Sequence, residues 1–343
     1  MIPHSKPFLG AEETNAALRV MESKYLAQNR EVQALEDKLA QFLGVRGVVA
    51  VSSGTAGLHL ALLALGAEIG TITAIPSYVC TALLNAVNYC GSEPAILDVK
   101  PTDGCLNPNE LRLGVNKPEI VILPHMFGQP ADVEKIVETG IPVIEDCAQS
   151  IGADVGGKPV GTFGAISVFS FYATKVLCAG EGGAVASDSE ELLNAVRDFR
   201  DYDHKKEYFP RFNYKMTELQ AAIAGAQLDK LPSFIERRRD IARRYDEAVE
   251  SSSFEKPSRA PGNICFRYLL FHQDVEKIIE DFKVEGITAA RPVFNPIHRY
   301  LGLDGYPGAE WMFQNAFSVP CYPALTDTEV KKICEAIKKS EVD

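Results

Sequence analysis

The 343-residue sequence has no stretch approaching roughly 18 uninterrupted apolar residues, and its opening, MIPHSKPFLGAEE, carries neither the basic nor the apolar segment of a secretion signal. A cytoplasmic protein without a membrane partner is expected. Positive charge is in deficit: 35 Lys and Arg stand against 46 Asp and Glu, a formal net charge of −11. With no basic stripe to neutralise a phosphate backbone, nucleic acid is not an expected partner. A single bound phosphate is still permitted, because the backbone N–H groups of a helix N-terminus hold an anion without net positive charge. C-x-x-C is absent, and Cys80, Cys90, Cys105, Cys147, Cys178, Cys265, Cys321 and Cys334 are scattered through a chain long enough to build a core without covalent staples. Free thiols are expected, with Cys80 and Cys147, inside apolar runs, acting as small hydrophobes. The six His show no H-E-x-x-H or similar spacing, so no catalytic metal is expected. Neither G-x-x-x-x-G-K-[ST] nor a G-x-G-x-x-G after a strand occurs, which removes the usual support for ATP or a dinucleotide.

What is present is a globular composition, 46% hydrophobic and 24% charged, long enough for about two domains. Short continuous apolar runs alternate with helical patterns over more than half the chain. REVQALEDKLAQFLG places Val32, Leu35, Leu39 and Phe42 on one helical face and stops at Gly44. GVVAV, TITAI, EPAILDV, EIVILP, PVIED, AISVFSF and GGAVAS read as strands. Such strands separated by helices predict an α/β fold, a mostly parallel sheet covered on both faces. MTELQAAIAGAQLDKL and SFIERRRDIARRYDEAVESS read as two successive helices, the second highly charged. The boundary is placed there: residues 1–232 form a large α/β domain and 233–343 a smaller α+β domain.

Three features carry chemistry. Ser52, Ser53, Gly54 and Thr55 lie between a strand and a helix, where hydroxyls and backbone N–H groups converge on a helix N-terminus. Helix capping alone also accounts for them. Glu145 and Asp146 end an apolar strand, where ligands bind in open α/β sheets, although a loop carboxylate also caps helices. Lys175 follows an apolar strand and precedes the Gly-rich Gly180-Glu181-Gly182-Gly183. Burial lowers a lysine pKa and exposes the neutral amine that Schiff-base chemistry needs. An anion cradle, a carboxylate and a lysine in that order suit pyridoxal phosphate, which needs an amine, a partner for its ring nitrogen and a phosphate site. Tyr78, after a strand-ending Pro76, is a candidate to stack on the ring, with core packing as the competing reading. Three histidines draw attention. His59 reads as a packed helix residue, His125 ends a strand on the site face, and His298 lies in a loop that either lines a pocket or is solvated. Glu181 with its glycines reads as a tight backbone path rather than a proton-transfer group.

The blocks KPFLGAEE, VSSGTAGLHLALLALG, IPSYVCTALLNAV, ILPHMFGQPADVEKI, VIEDCAQSIGA, FSFYATKVLCAGEGG, FNYKMTELQAAIAGAQLDKL and SVPCYPALTDTEV, in this order, resemble the DegT/DnrJ/EryC1/StrS family of pyridoxal-phosphate sugar aminotransferases. The resemblance implies a fold-type I seven-stranded sheet. It also implies a role for each matching residue: Lys175 bonded to the cofactor, Asp146 on its ring nitrogen, Gln149 near its phenolic oxygen, Gly54, Thr55 and Ser170 on its phosphate, and Tyr78 on its ring. Asn213 would reach the phosphate of a neighbouring subunit, making a homodimer with shared active sites. The implied reaction moves an amino group from glutamate or glutamine to a keto-sugar, nucleotide-linked in the family's usual chemistry. Lys175 argues against the dehydratases of this family, which carry His there. Lys215 stands where Arg is frequent, and Lys does not reproduce a bidentate Arg clamp. A fold-type I lyase or desulfurase, and a non-catalytic sugar-binding relative, are the competing classes.

Overall fold

The computed structural model describes residues 1–113 and 117–339. Two helices come first, α1 (Ala11–Ser23) and α2 (Arg30–Leu43), followed by β1 (Gly47–Val51) and α3 (Gly54–Ala64). The alternation continues through β2 (Ile72–Pro76), α4 (Ala82–Tyr89), β3 (Glu93–Leu97), α5 (Glu110–Leu113), β4 (Ile120–Pro124), α6 (Val133–Val137) and β5 (Val143–Asp146). A small hairpin of β6 (Asp154–Val155) and β7 (Lys158–Pro159) precedes β8 (Ile166–Ser170), β9 (Gly183–Ser187) and α7 (Glu190–Arg200). The long α8 (Glu218–Val249) leads to β10 (Tyr268–Phe271), α9 (Val275–Val284), α10 (Ile297–Leu301), α11 (Pro307–Asn315), β11 (Ala316–Val319) and α12 (Asp327–Lys339).

Seven strands form one sheet in the order β1-β9-β8-β5-β4-β2-β3. Six run in the same direction, and β9 alone is antiparallel to its neighbours β1 and β8. The expected mostly parallel sheet is present. Its strands are apolar along their length because both faces are covered, as in β4, where all five residues are buried. One face packs under α3, α4 and α7, and the other carries Val32, Leu35 and Leu39 of α2 with Leu228 and Leu231 of α8. The helix of residues 30–43 buries Leu43 where periodicity pointed to Phe42, and ends at Gly44 with φ 71.

The two helices expected around residue 232 are one. Thr217 starts α8 with a capping box, its hydroxyl accepting from the Gln220 N–H, and the helix passes Pro232 without a break. A helix-interior proline costs about 3 kcal/mol. Burial of Leu228, Leu231, Phe234, Ile241 and Tyr245 on both sides of it offsets that cost, at about 1.5–3 kcal/mol for each large apolar side chain. The 232/233 boundary therefore falls inside a helix. Beyond it, a separate core gathers Ile241, Tyr245, Phe254, Leu270, Phe317 and Ile333 around the β10–β11 pair, and Ile2 from the start of the chain joins it. Ile2 is pinned there by backbone bonds to Gly286 and Thr288, so the following residues cross toward the sheet.

Candidate active site

The carboxyl ends of β1, β5 and β8 bring the predicted residues to one end of the sheet. After β1, Ser53 caps α3 by accepting from the Ala56 N–H at 3.1 Å. Gly54 and Thr55 then occupy the first helical positions, where amides have no partner within the helix, and both are partly accessible. Ser170, the last residue of β8, stands against this turn: a β-carbon on Gly54 would lie 2.9 Å from the Ser170 Cβ. Serine capping therefore leaves room for an anion at this turn, since Ser53 satisfies one amide and leaves the first two without a partner in the helix.

The turn sits so close to the sheet because β9 passes beneath it. A β-carbon on Gly183 would meet the Ser53 carbonyl carbon at 2.7 Å and the Gly54 nitrogen at 2.8 Å, so only glycine fits. Glu181 beside it is exposed, in keeping with a backbone role for that segment.

Glu145 and Asp146 are adjacent and both buried, yet differently occupied. Glu145 accepts backbone N–H bonds from Gly161 at 2.7 Å, Phe163 at 2.7 Å and Gly164 at 2.6 Å, and a fourth from the His125 Nε2–H at 3.0 Å. The His125 Nδ1 accepts from the Ala131 N–H at 3.0 Å, which fixes the proton on Nε2. Desolvation opposes ionisation of Glu145, but these donors overcome it and its carboxyl titrates below the usual range. His125, Glu145 and Cys147 are the one grouping of possible metal ligands among the described residues, and its His and Glu are already committed to each other and to backbone. Asp146 accepts only the Ala148 N–H, at 2.9 Å, leaving its second oxygen without a donor from the described residues. Burial raises its pKa, against the pull of that N–H and of the Lys175 and His125 charges.

Lys175 follows β8 in a loop pinned by the Ala179 N–H to the Phe171 carbonyl. Desolvation lowers its amine pKa, Arg267 adds to the lowering, and Asp146 opposes it. Lysine and aspartate therefore form an interacting pair whose burial disfavours both charged forms. Gln149, partly accessible, spends its Oε1 on the Phe127 N–H at 3.0 Å. Asn213 is exposed in the segment ahead of α8.

Tyr78 does not serve as a ring-stacking residue. Its side chain is fully enclosed, edge-on to Phe127, with its hydroxyl donating to the Met312 carbonyl at 3.3 Å, so no face is left for a ligand. Two residues on, Cys80 is exposed instead of filling an apolar gap, and it faces the site closely enough to influence the Lys175 charge. Its strand has ended at Pro76, so the apolar run around it continues into an irregular turn rather than a buried strand. All eight thiols are free. His298 is neither solvated nor pocket-lining: it is buried between Ser77 Oγ at 2.5 Å and Glu310 Oε1 at 2.7 Å, tying the β2 turn to α11. His59 is packed among Tyr89, Phe212 and Tyr214, as its helical setting suggested. Lys215 is held by Asp201 at 2.6 Å and Asp203 at 3.1 Å. Sequence reasoning missed His4, Arg238 and Arg267, which line a pocket with Lys175. An arginine inside the apolar run NICFRYLLF was the available signal.

The lysine, the buried carboxylate with an open oxygen, and the cradle with two spare amides fit pyridoxal phosphate. Comparison with known proteins decides the matter: residues 7–338 match the profile of the DegT/DnrJ/EryC1/StrS aminotransferase family. The chain belongs to that family. It is a pyridoxal-phosphate-dependent aminotransferase with the fold-type I architecture. Within the family, it is 31% identical to a GDP-perosamine synthase of Escherichia coli O157:H7 over 359 aligned residues, covering 98% of each chain. Its structure superposes on aminotransferase TlmJ of Streptoalloteichus hindustanus with a TM-score of 0.93, at 27% identity over 99% of this chain and 98% of the other. DesV of S. venezuelae, solved in complex with a ketimine intermediate, superposes with a TM-score of 0.92 at 26% identity, over 97% and 95%. Family membership sets aside the lyase, desulfurase and non-catalytic readings. No helix among the described residues is long and apolar enough to cross a membrane.

Proposed function

We propose that this aminotransferase moves an amino group from glutamate or glutamine to the keto group of a nucleotide-linked sugar, leaving the corresponding 2-oxo acid. The observation that carries the chemistry is the convergence of Lys175, Asp146 and the Ser53–Thr55 turn at one end of the sheet. The similarity to GDP-perosamine synthases over the full chain supports a nucleotide-linked sugar as acceptor.

When bound, pyridoxal phosphate supplies an aldehyde that condenses with amines and a ring that withdraws the electrons released when a C–H bond breaks. The Gly54 and Thr55 amides and the Ser170 hydroxyl would hold its phosphate, with the α3 dipole favouring the negative charge. Lys175, whose amine burial keeps readily neutral, would attach it and then act as the base and acid that moves a proton at the substrate carbon. Asp146, with its spare oxygen, would hold a proton on the ring nitrogen, and burial makes that charge pairing strong. Gln149 keeps an amide N–H₂ available for the phenolic oxygen while Phe127 fixes its other end.

A homodimer belongs to the same reading. Exposed Asn213 would reach the phosphate site of a second subunit, and the exposed Tyr208 and Phe209 ahead of it would be covered there. The test is incubation of the purified, cofactor-loaded protein with glutamate or glutamine and a panel of nucleotide-linked keto-sugars, with mass spectrometry of the products. Replacement of one carbonyl oxygen by an amine is expected for one acceptor. Consumption of the amino donor with no sugar in the panel aminated would overturn the acceptor.

A further inference from the structure

The first residues of the chain run from the β10–β11 core to α8 along the Lys175 pocket. At the near end Ile2 is clasped: its N–H donates to the Gly286 carbonyl at 2.7 Å, its carbonyl accepts from the Thr288 N–H at 2.9 Å, and its side chain is buried. At the far end Gln227 Nε2 donates to the Phe8 carbonyl at 2.8 Å and to Glu13 Oε1 at 2.7 Å, and Lys230 pairs with Glu13. Between these ends Ser5, Lys6 and Pro7 are exposed and make no hydrogen bond among the described residues. Residues 4–8 nevertheless form one wall of the pocket that holds Lys175.

The middle of the segment is held by His4. Ser318 Oγ donates to the Ala290 carbonyl at 3.1 Å, which leaves it to accept from His4 Nε2–H at 2.8 Å, and His4 Nδ1 then turns its lone pair to Arg267 Nη1 at 3.5 Å. The ring is therefore docked neutral. A proton on Nδ1 would set one N–H against another and place a second cation beside the guanidinium. No compensation is at hand: Arg238 of α8 and the Lys175 amine line the same pocket, its other titratable groups are Cys178, Cys321 and Tyr322, and no Asp or Glu lines it. Asp146 sets its charge against Lys175. Burial and the Arg267 charge push the docked ring down to about 3 from 6.5.

We propose that residues 2–8 are a strap latched across the Lys175 pocket by the neutral His4 ring, and that acid releases it: protonation drives His4 off Ser318 and Arg267, and the pocket opens to solvent. The inference goes beyond the aminotransferase reading and rests on it only for Lys175 as the point of cofactor attachment. The far anchor sets the limit of the movement, because Glu13 also accepts from the Gly10 N–H at 2.7 Å and holds the start of α1 on α8. The sign follows from the two states of the ring. Docking is unaffected above about pH 6.5, where His4 is neutral whether docked or free, and loses about tenfold per pH unit below it until the docked ring itself takes up a proton.

Hydrogen exchange of the cofactor-loaded protein tests the latch, with the Thr288 amide as reporter because its acceptor is the Ile2 carbonyl. After correction for intrinsic exchange, its protection should fall about thirtyfold between roughly pH 7.5 and pH 5, while the amides of α1 do not follow. His4→Gln keeps a side chain that donates and accepts but does not titrate, and it should flatten this dependence. Access to the pocket is read by hydroxylamine, which takes the cofactor from its lysine as the oxime. The ratio of rates, unsubstituted protein to His4→Gln, cancels the titration of the reagent; it should be close to unity at the higher pH and rise at least about fivefold at the lower. Thr288 protection that is independent of pH in the unsubstituted protein overturns the latch without recourse to a variant. The same pH dependence in His4→Gln overturns His4 as its cause. If Thr288 responds as expected and the hydroxylamine ratio stays at unity, release does not open the pocket and the gate is overturned. If Thr288 responds and borohydride fixes the cofactor on a residue other than Lys175, the attachment reading fails and the latch stands.

Discussion

The two sides of the end of β5 solve opposite problems with the same functional group. On one side Glu145 is saturated by three backbone amides and His125, and its charge is locked in place. On the other, Asp146 has one amide and an unused oxygen, and its charge is disfavoured by burial until something compensates it. Two buried carboxylates thus differ in how far their charge is satisfied, and the difference is the number of donors supplied. A strand side chain alternates its direction at each residue, which is why neighbours in sequence meet such different surroundings.

The strongest challenge to this division is at the reactive side. Lys175→Ala should abolish turnover by at least about a thousandfold, because attachment and proton transfer both depend on one amine. Its visible absorbance with cofactor and glutamate should not change as the unsubstituted protein's does, while thermal unfolding of the cofactor-free protein should shift little. Asp146→Asn should cost about 10²–10⁴ in kcat with the fold preserved, read by single-turnover kinetics alongside circular dichroism. Glu145→Gln should do the opposite. Replacing one acceptor oxygen by N–H₂ sets it against a backbone donor, and a loss of about 2–4 kcal/mol in urea unfolding is expected, with activity per folded molecule largely kept. Should Glu145→Gln instead lose kcat at full stability, the assignment of structural and chemical roles would be reversed. Gly54→Ala sharpens the comparison at the cradle: its Cβ would lie 2.9 Å from Ser170, so cofactor affinity should drop about tenfold in an equilibrium titration while stability changes less.

The smallest effect concerns pH. Lys175 is the only one of these groups whose folded pKa is lowered from above 10, so the cofactor-free protein should combine with pyridoxal phosphate faster as pH rises, with a midpoint below 10.5. Its contribution to stability follows in sign: the folded state binds the proton less tightly than the unfolded chain. Folding is therefore penalised below the folded pKa, and the penalty fades as pH rises toward 10.5. A reconstitution midpoint at or above that of free lysine would remove the case for a desolvated amine.

Much of this was readable in advance, and for identifiable reasons. Apolar strand runs report a sheet covered on both faces, and Ser53, Asp146 and Lys175 stand at strand ends, where parallel topology gathers them whatever the intervening loops do. Tyr78 was misassigned because a sequence does not say which way a residue in an irregular turn points, and here packing against Phe127 and Met312 turns it inward. The continuity of α8 through Pro232 was hidden because local propensity favours a break there and only burial on both flanks overrides it. The meeting of His4 with Arg267, 263 residues apart, is of a different kind again, since no periodicity couples segments so distant, and it is visible only once the chain is folded.

One position, Gly183, links the sheet to the cradle by contact alone. Because the antiparallel strand beneath the turn leaves no room for a single extra carbon, the height of the Gly54 and Thr55 amides above the sheet is set by atomic diameters rather than by any bond. The turn behaves like a shelf resting on its bracket. Raising the bracket by one methyl group would tilt the shelf, and the first property to register it would be the grip on the phosphate.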